Sequence, residues 1–208
     1  DFKKKFNIIL KNIYGMSEIG IATMDDLAKK NLYGSIGKPL NGVKIKLLGQ
    51  NNKFVKKENM VGEICVKTPA IFSGYIGVKK INNSKLYYKD YFRTGDLAVF
   101  KNGSLFFTDR SKDIVIKGGV NISPHEVDSC LQKNPKIFEA ATIGIKSDFY
   151  GETLKSFIVL KKNKKITVLE LKNYCNKRLG NIRTPEIFEF VNKLPKTASG
   201  KILKRKLK

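Results

Sequence analysis

The stretch from 109 to 127, DRSKDIVIKGGVNISPHEV, limits the fold more than any other part of the chain. Residues 105–108 read as a strand that stops at Asp109-Arg110, and Ser111-Lys112-Asp113 is too polar to continue it. Ile114-Val115-Ile116 resumes an apolar run that ends at Gly118-Gly119, where a backbone can turn sharply or let a ligand approach closely. Ser123-Pro124-His125-Glu126 then carries the signs of a helix start, with Ser at the N-cap, Pro at the first helical position and Glu completing a capping box. Strand, polar joint, short strand, glycine turn and helix in succession describe a seam between two structural units.

The rhythm differs on the two sides of that seam. Before it, residues 6–13 read as a strand with Ile8, Ile9 and Leu10 as a buried run, and residues 14–18 as a loop. Residues 36–40 are turn chemistry, 43–47 alternate like a half-buried strand, and 61–66 form another strand. Thr68-Pro69 and Ser73-Gly74-Tyr75 mark loops, and residues 97–100 and 105–108 flank a hairpin signal at Asn102-Gly103. After the seam, a helix from 124 to about 131 places Val127 and Leu131 on one face. Residues 140–145 and 154–160 read as strands, and Thr167 with Glu170 forms a second capping box opening a helix through Leu171, Tyr174 and Leu179. A strand at 188–191 and a polar glycine loop at 195–201 close the chain. The whole is α+β: a β-rich part, then a small α+β domain of about a hundred residues.

Charge is the compositional outlier, with 41 Lys and Arg against 18 Asp and Glu for a net +23. The lysines are scattered, often beside Asn, as on a solvated surface, and no nucleic-acid motif accompanies them. A basic nucleic-acid-binding module is the rival reading, and it requires lysines gathered on one face. Cys65, Cys130 and Cys175 are far apart and form no CxxC pair, which argues for neither a zinc site nor a disulfide framework and sets a reducing, cytoplasmic location as the expectation. His125, the only histidine, reads as an exposed residue of the helix start. No apolar run approaches bilayer length, and peripheral membrane contact is left open. The chain begins Asp1-Phe2 on a charged patch, which reads as the tail of something longer.

Asp-Arg-x-Lys-Asp followed by Gly-Gly-x-Asn-Ile-x-Pro-x-Glu-Val resembles the hinge and following loop of the adenylate-forming acyl-CoA synthetases, the superfamily that includes acyl- and aryl-CoA ligases, luciferases and peptide-synthetase adenylation domains. Four further segments are similar to that superfamily in its own order. Tyr14-Gly15-Met16-Ser17-Glu18 resembles its Tyr-Gly-x-Thr-Glu segment, with Ser in place of Thr. Gly62-Glu63-Ile64-Cys65-Val66 with Gly74-Tyr75 resembles a structural strand and turn, without catalytic role. Residues 91–97, YFRTGDL, resemble the ribose-binding run, and residues 195–202, PKTASGKI, the C-terminal loop whose lysine completes the adenylation site.

The resemblance implies a set of roles. Tyr14 would flank adenine, Gly15 would belong to the same nucleotide-binding segment, Ser17 would meet phosphate, and Glu18 would hold Mg²⁺, a hard cation that takes oxygen ligands. Asp96 would accept hydrogen bonds from both ribose hydroxyls, with Arg110 adding a ribose or phosphate contact. Lys112 would be the hinge, and Gly118 and Gly119 would line the path of the coenzyme A pantetheine. Lys201 would offset the repulsion between a substrate carboxylate and the α-phosphate of ATP. The implied reaction joins a carboxylic acid to AMP and then to coenzyme A, with a carrier-protein thiol as the alternative acceptor. Residues 1–110 would be the C-terminal part of the AMP-binding domain and 111–208 the mobile C-terminal domain, turning near 110–113. The family's Ser/Thr/Gly-rich phosphate loop does not occur in these 208 residues. The expectation is therefore a fragment that needs the missing N-terminal part of the same enzyme and is inactive alone.

Overall fold

The structure is a computed structural model, and it describes residues 2–26, 34–77 and 83–207. Chain contacts divide it into two units, residues 1–111 and 112–208.

In the first unit, glycine and asparagine turns link short strands, and among the described residues helix is confined to α1 (Phe2–Phe6) and α2 (Asn83–Leu86). The strands are β1 (Ile13–Met16), β2 (Gly20–Met24), β3 (Ser35–Pro39), β4 (Lys44–Leu48), β5 (Gly62–Lys67), β6 (Tyr87–Tyr88), β7 (Tyr91–Lys101) and β8 (Ser104–Arg110). They form one sheet in the order β1-β2-β3-β8-β7-β5-β4, with β6 beside β7. The long β7–β8 hairpin turns at Asn102-Gly103, both at positive φ, as Asn-Gly demands of a two-residue turn. Alternation puts Ile64 and Val66 of β5 into a cluster with Ile19, Leu47, Phe92 and Leu105, while Cys65 faces Leu48 and Tyr91 on the other side.

Three sequence expectations fail in this unit. Residues 6–13 are not a strand: α1 ends at Phe6, Asn7 turns the chain at φ 53°, and Ile8, Ile9 and Leu10 are exposed. Pairing begins only at Ile13, opposite Met24, and it carries the supposed loop Tyr14-Gly15-Met16 into β1. An apolar run becomes a strand only where an edge is available to satisfy its backbone groups. Residues 36–40 are likewise mostly strand. Gly37 sits at φ 93° in an irregularity of β3, where a Cβ would lie 2.2 Å from the Met24 carbonyl carbon. The glycine there marks a bulge and a close approach between strands.

The second unit opens with a 3₁₀ turn, Ser111–Asp113, that straddles the boundary between the units. Then follow β9 (Val115–Lys117), β10 (Val120–Ile122), α3 (Pro124–Gln132), β11 (Ile137–Ser147), β12 (Gly151–Leu160), α4 (Val168–Leu179) and β13 (Ile187–Phe190). The sheet runs β10-β9-β12-β11, with β13 parallel to β12. Ser123 caps α3 by accepting from Glu126 N–H at 3.1 Å, and Thr167 with Glu170 closes both halves of a capping box on α4. Val127 and Leu131 of α3 and Leu171 and Cys175 of α4 pack on Val115, Ala140, Leu154 and Ile158. The opposite face, Ala141, Ile143, Phe157 and Val159, is covered by Leu194, Ile202 and Leu207 of the C-terminal segment. That segment thus completes the core and is held by it.

Candidate functional site

In the first unit the fold brings together side chains from three separate strands. Gly95 at φ 74° bends β7 so that Asp96 stands across the ladder from Arg110 of β8. Tyr14 of β1 donates its phenol to Asp96 Oδ2 at 2.8 Å, and Arg110 Nε lies 3.4 Å from Asp96 Oδ1. Burial pushes the Tyr14 phenol well above its ordinary range; the Asp96 charge adds to the shift, and a hydrogen bond with Thr94 opposes it. Tyr14 is thereby kept a neutral donor. Gly15 follows with no room for a side chain, since a Cβ would lie 2.3 Å from the Gly20 carbonyl oxygen.

The geometry of Asp96 is set by residues that sequence reasoning passed over. Glu63, buried in β5, accepts from Gly95 N–H at 3.0 Å and from Arg93 Nε and Nη2 at 3.0 and 2.7 Å. The Thr94 hydroxyl donates to the Ile64 carbonyl and accepts from Asp96 N–H. The Gly62-Glu63 pair carried the signal, but only as a strand; its link to Gly95 needs the β5–β7 register.

Ser17 and Glu18 lie on the turn between β1 and β2, with Ser17 exposed. Glu18 Oε1 accepts from the Tyr75 hydroxyl at 2.7 Å, and the Glu18 carbonyl accepts from Phe72 N–H. The 70–75 loop therefore orients this carboxylate. Among the described residues no group of three or more His, Cys, Asp or Glu could hold a metal ion. A single outward carboxylate fits Mg²⁺ only in the manner of nucleotide enzymes, where one or two carboxylates share the ion with substrate phosphates and water.

In the second unit, Gly118 and Gly119 form the two-residue turn between β9 and β10, at φ 54° and 80°. Gly118 N–H donates to the Tyr150 carbonyl at 3.1 Å, and a Cβ on Gly118 would come within 3.3 Å of the Tyr150 ring. Nothing lies within 4 Å of a Cβ on Gly119, so that side of the turn is open. Beside it is a cavity of about 170 Å³ whose lining includes Lys117, Tyr150, Lys172, Thr184 and Glu186. Lys117 is buried, with Nζ 3.1 Å from Glu186 and 4.9 Å from the centre of the Tyr150 ring. One lysine among many in sequence, it is distinguished only by its inward position on β9.

Lys201 lies at an exposed position of a tightly wound loop. Thr197 N–H donates to the Lys201 carbonyl at 2.8 Å, and its hydroxyl accepts from Lys201 N–H at 3.1 Å. Gly200 at φ 83° closes the turn, and Leu203 N–H returns to the Pro195 carbonyl. Two ion pairs flank the loop: Lys196 with Glu139, and Lys204 with the buried Asp128 at 2.8 Å. Lys112 is exposed on the 3₁₀ turn between the units. His125 is exposed, and all three cysteines are buried free thiols. Burial pushes Cys65 and Cys175 up to about 12, so neither offers a thiolate near neutral pH. No helix among the described residues is long and apolar enough to cross a membrane.

Known proteins share both units. Residues 1–76 match the family model for AMP-binding enzyme, and residues 126–201 that for AMP-binding enzyme C-terminal domain. The chain is 37% identical to oxalate–CoA ligase of Saccharomyces cerevisiae, over 98% of its own length and 38% of the relative's. It is 35% identical to the long-chain-fatty-acid–CoA ligase of Bacillus subtilis, over 100% of the chain and 38% of that protein. It superposes on Bacillus subtilis o-succinylbenzoate CoA synthetase, solved with its acyl-adenylate intermediate, at a TM-score of 0.84 and 31% identity, covering 99% of this chain and 42% of that one. The chain thus spans about two fifths of the length of the curated relatives it matches. With both matching segments in the family's order on an α+β scaffold that superposes on its solved members, the chain belongs to the adenylate-forming AMP-binding enzymes, as an acyl-CoA ligase family member.

Proposed function

We propose that this chain provides the ribose-binding and lysine-bearing parts of an enzyme that adenylates a carboxylic acid with ATP and then transfers the acyl group to coenzyme A. The observation that carries the proposal is the meeting of Tyr14, Asp96 and Arg110, where a carboxylate with several lone-pair sites stands between a neutral phenol and a guanidinium. Such a carboxylate can accept two ribose hydroxyls while Tyr14 offers its ring to the base and Arg110 its charge to phosphate. Ser17 keeps a hydroxyl for phosphate, and Glu18, steadied by Tyr75, would hold Mg²⁺, which neutralises phosphate charge when bound.

Residues 1–110 act in this reading as the C-terminal part of the AMP-binding domain, and residues 111–208 as a mobile domain turning at 110–113. Lys201 serves the first step. Its ammonium lies between the attacking carboxylate and the α-phosphate and offsets their repulsion as charge moves onto pyrophosphate. In the second step the domain turns about Lys112 and the Gly118-Gly119 turn lines the thiol path, where the open side of Gly119 leaves room for pantetheine. The relatives include ligases of oxalate and of long-chain fatty acids, so the reading covers carboxylic acids as a class. The chain's buried free thiols suit a reducing, cytoplasmic compartment. Catalysis requires the remainder of the family's length, including a phosphate loop.

The test is a nuclear magnetic resonance titration of the chain with AMP and with 2′,3′-dideoxy-AMP. AMP should shift the amides of Tyr14, Thr94, Asp96 and Arg110, and the dideoxy analogue should shift Asp96 little. Equal responses to both nucleotides would remove the ribose role of Asp96.

A further inference from the structure

The scatter of lysines in sequence does not survive folding at one end of the second unit. Lys133 and Lys136 lie in the turn between α3 and β11, and Lys161, Lys162, Lys164 and Lys165 in the turn between β12 and α4; five are exposed and Lys136 is half-buried. The two turns are stitched together, since Ile137 pairs with Leu160 and Lys161 N–H donates to the Lys136 carbonyl at 2.9 Å. Asn163 at φ 60° and a Lys164 N–H bond to the Lys161 carbonyl fold the second turn into a tip from which four lysines radiate.

Only one acid, Glu170, lies in these turns and the first turn of α4. It is already committed: it completes the capping box with Thr167 and pairs with Lys136 at 3.1 Å. Glu139, further along β11, pairs with Lys196. Six ammonium groups against one engaged carboxylate is a steeper imbalance than the 41 to 18 of the whole chain. Apolar side chains stand beside them. Leu169 is 68% exposed and Val168 38% exposed on the first turn of α4, and Phe138 is 62% exposed at the bulge of β11. Leu171 and Cys175 already supply the inward face of that helix, so Leu169 has no core role.

The opposite end of the β11–β12 hairpin carries Tyr150 and, through it, the glycine turn. The hairpin pairs continuously from Glu139 to Ser147, roughly 30 Å at the usual rise per residue. A surface held at the lysine end therefore leaves the Gly118-Gly119 turn and its cavity accessible.

We propose that this lysine-rich end docks on an anionic lipid surface, with the ammonium groups against lipid phosphates and carboxylates and Leu169, Val168 and Phe138 at the boundary between headgroups and acyl chains. Lysines provide long-range attraction worth about 1 kcal/mol each near an anionic membrane, and the neighbouring apolar side chains provide the short-range part. A single-stranded nucleic acid would instead need ring faces for successive bases, and Phe138 is the only aromatic residue in these turns and their flanks. The docking rests on none of the ribose, glycine-turn or lysine-loop assignments.

The experiment is co-sedimentation of the 208-residue chain with vesicles of phosphatidylcholine alone, or with about one third phosphatidylserine, at physiological salt. The Lys161→Gln, Lys162→Gln, Lys164→Gln, Lys165→Gln variant should bind the anionic vesicles roughly 10² to 10³-fold more weakly, at about fivefold per lysine. A control with the same charge change at Lys3, Lys4, Lys56 and Lys57 should lose only a few-fold. Leu169→Ser should weaken binding and make what remains fully salt-sensitive. Circular dichroism confirms that each variant is folded. An equal loss in the control would show diffuse charge with no docking end, and an unchanged affinity in Leu169→Ser with Phe138→Ser would remove the lipid. Displacement from vesicles by single-stranded RNA, bound more tightly through the same four lysines, would assign the surface to nucleic acid instead.

Discussion

Replacing Lys204 by Met tests how the C-terminal segment is held. Asp128 is 7% exposed on the buried face of α3, and its Oδ2 accepts from Lys204 Nζ at 2.8 Å. Removing one partner of a buried ion pair costs about 3–5 kcal/mol, because a charge is left uncompensated. The Lys204 side chain retains 26% exposure, so solvent already screens part of the pair and a loss of roughly 2–3 kcal/mol is expected. Burial raises the Asp128 carboxyl above its ordinary value, and Lys204 partly opposes the shift. A carboxyl with a raised folded-state pKa binds its proton more tightly in the fold. Its ionised form therefore costs stability above that pKa, and the cost disappears as pH falls below the unfolded value of about 3.9. Losing Lys204 raises the folded pKa further, so the deficit of Lys204→Met should be full near neutral pH and shrink on acidification. Urea unfolding followed by amide exchange at Leu154 and Ile158 reads this unit's stability across pH. Asp128→Asn combined with Lys204→Met should recover most of the loss at neutral pH. A deficit independent of pH, or no deficit, would refute the reasoning.

Other consequences follow from local geometry. Gly37→Ala forces a Cβ to within 2.2 Å of Met24 at a positive φ and should cost roughly 2–4 kcal/mol, whereas Gly103→Ala, in open space, should cost about 1, both measured by urea unfolding of the first unit. Tyr14 should be the last tyrosine to ionise in an alkaline titration followed by nuclear magnetic resonance, and ionisation at the ordinary phenol value of about 10 would contradict its burial against Asp96. Limited proteolysis should nick first at Arg110 or Lys112 on the exposed polar turn; early cleavage within residues 140–160 would count against a joint there.

The legible parts of the fold were those written in local chemistry. Asn102-Gly103 made a hairpin, Thr167 with Glu170 made a complete capping box, and Ser123-Pro124 opened α3, because each signal satisfies its backbone groups within a few residues. Where an outcome depended on a distant partner, local reading failed. Ile8, Ile9 and Leu10 read as a buried strand but are exposed and lie outside any strand, while Tyr14-Gly15-Met16 read as a loop and became part of β1 against residues 20–24. Gly37 looked like a turn because a bulge in a strand uses the same residue for the same backbone freedom. The site residues came from family resemblance, but not what holds them. Tyr14 and Asp96 are 82 positions apart in sequence, and Glu63, Tyr75 and Asp128 acquire their roles only through strand register and helix packing. The lysine end was hidden for the same reason, since Lys136 and Lys161 become neighbours only when β11 pairs with β12.

The two half-reactions separate the role of Lys201 from that of the Gly118-Gly119 turn. The chain would be joined to the part of the Bacillus subtilis long-chain-fatty-acid–CoA ligase that it does not span, and each half-reaction timed with Lys201→Ala and Gly119→Leu. Lys201→Ala should slow acyl-adenylate formation by about 10² to 10³ and largely spare thioester formation from supplied acyl-adenylate. Gly119→Leu, which places bulk on the open side of the glycine turn, should adenylate well and fail at the thioester step. Equal loss of both halves in Lys201→Ala, in an enzyme otherwise active, would contradict the division of labour between the lysine loop and the glycine turn.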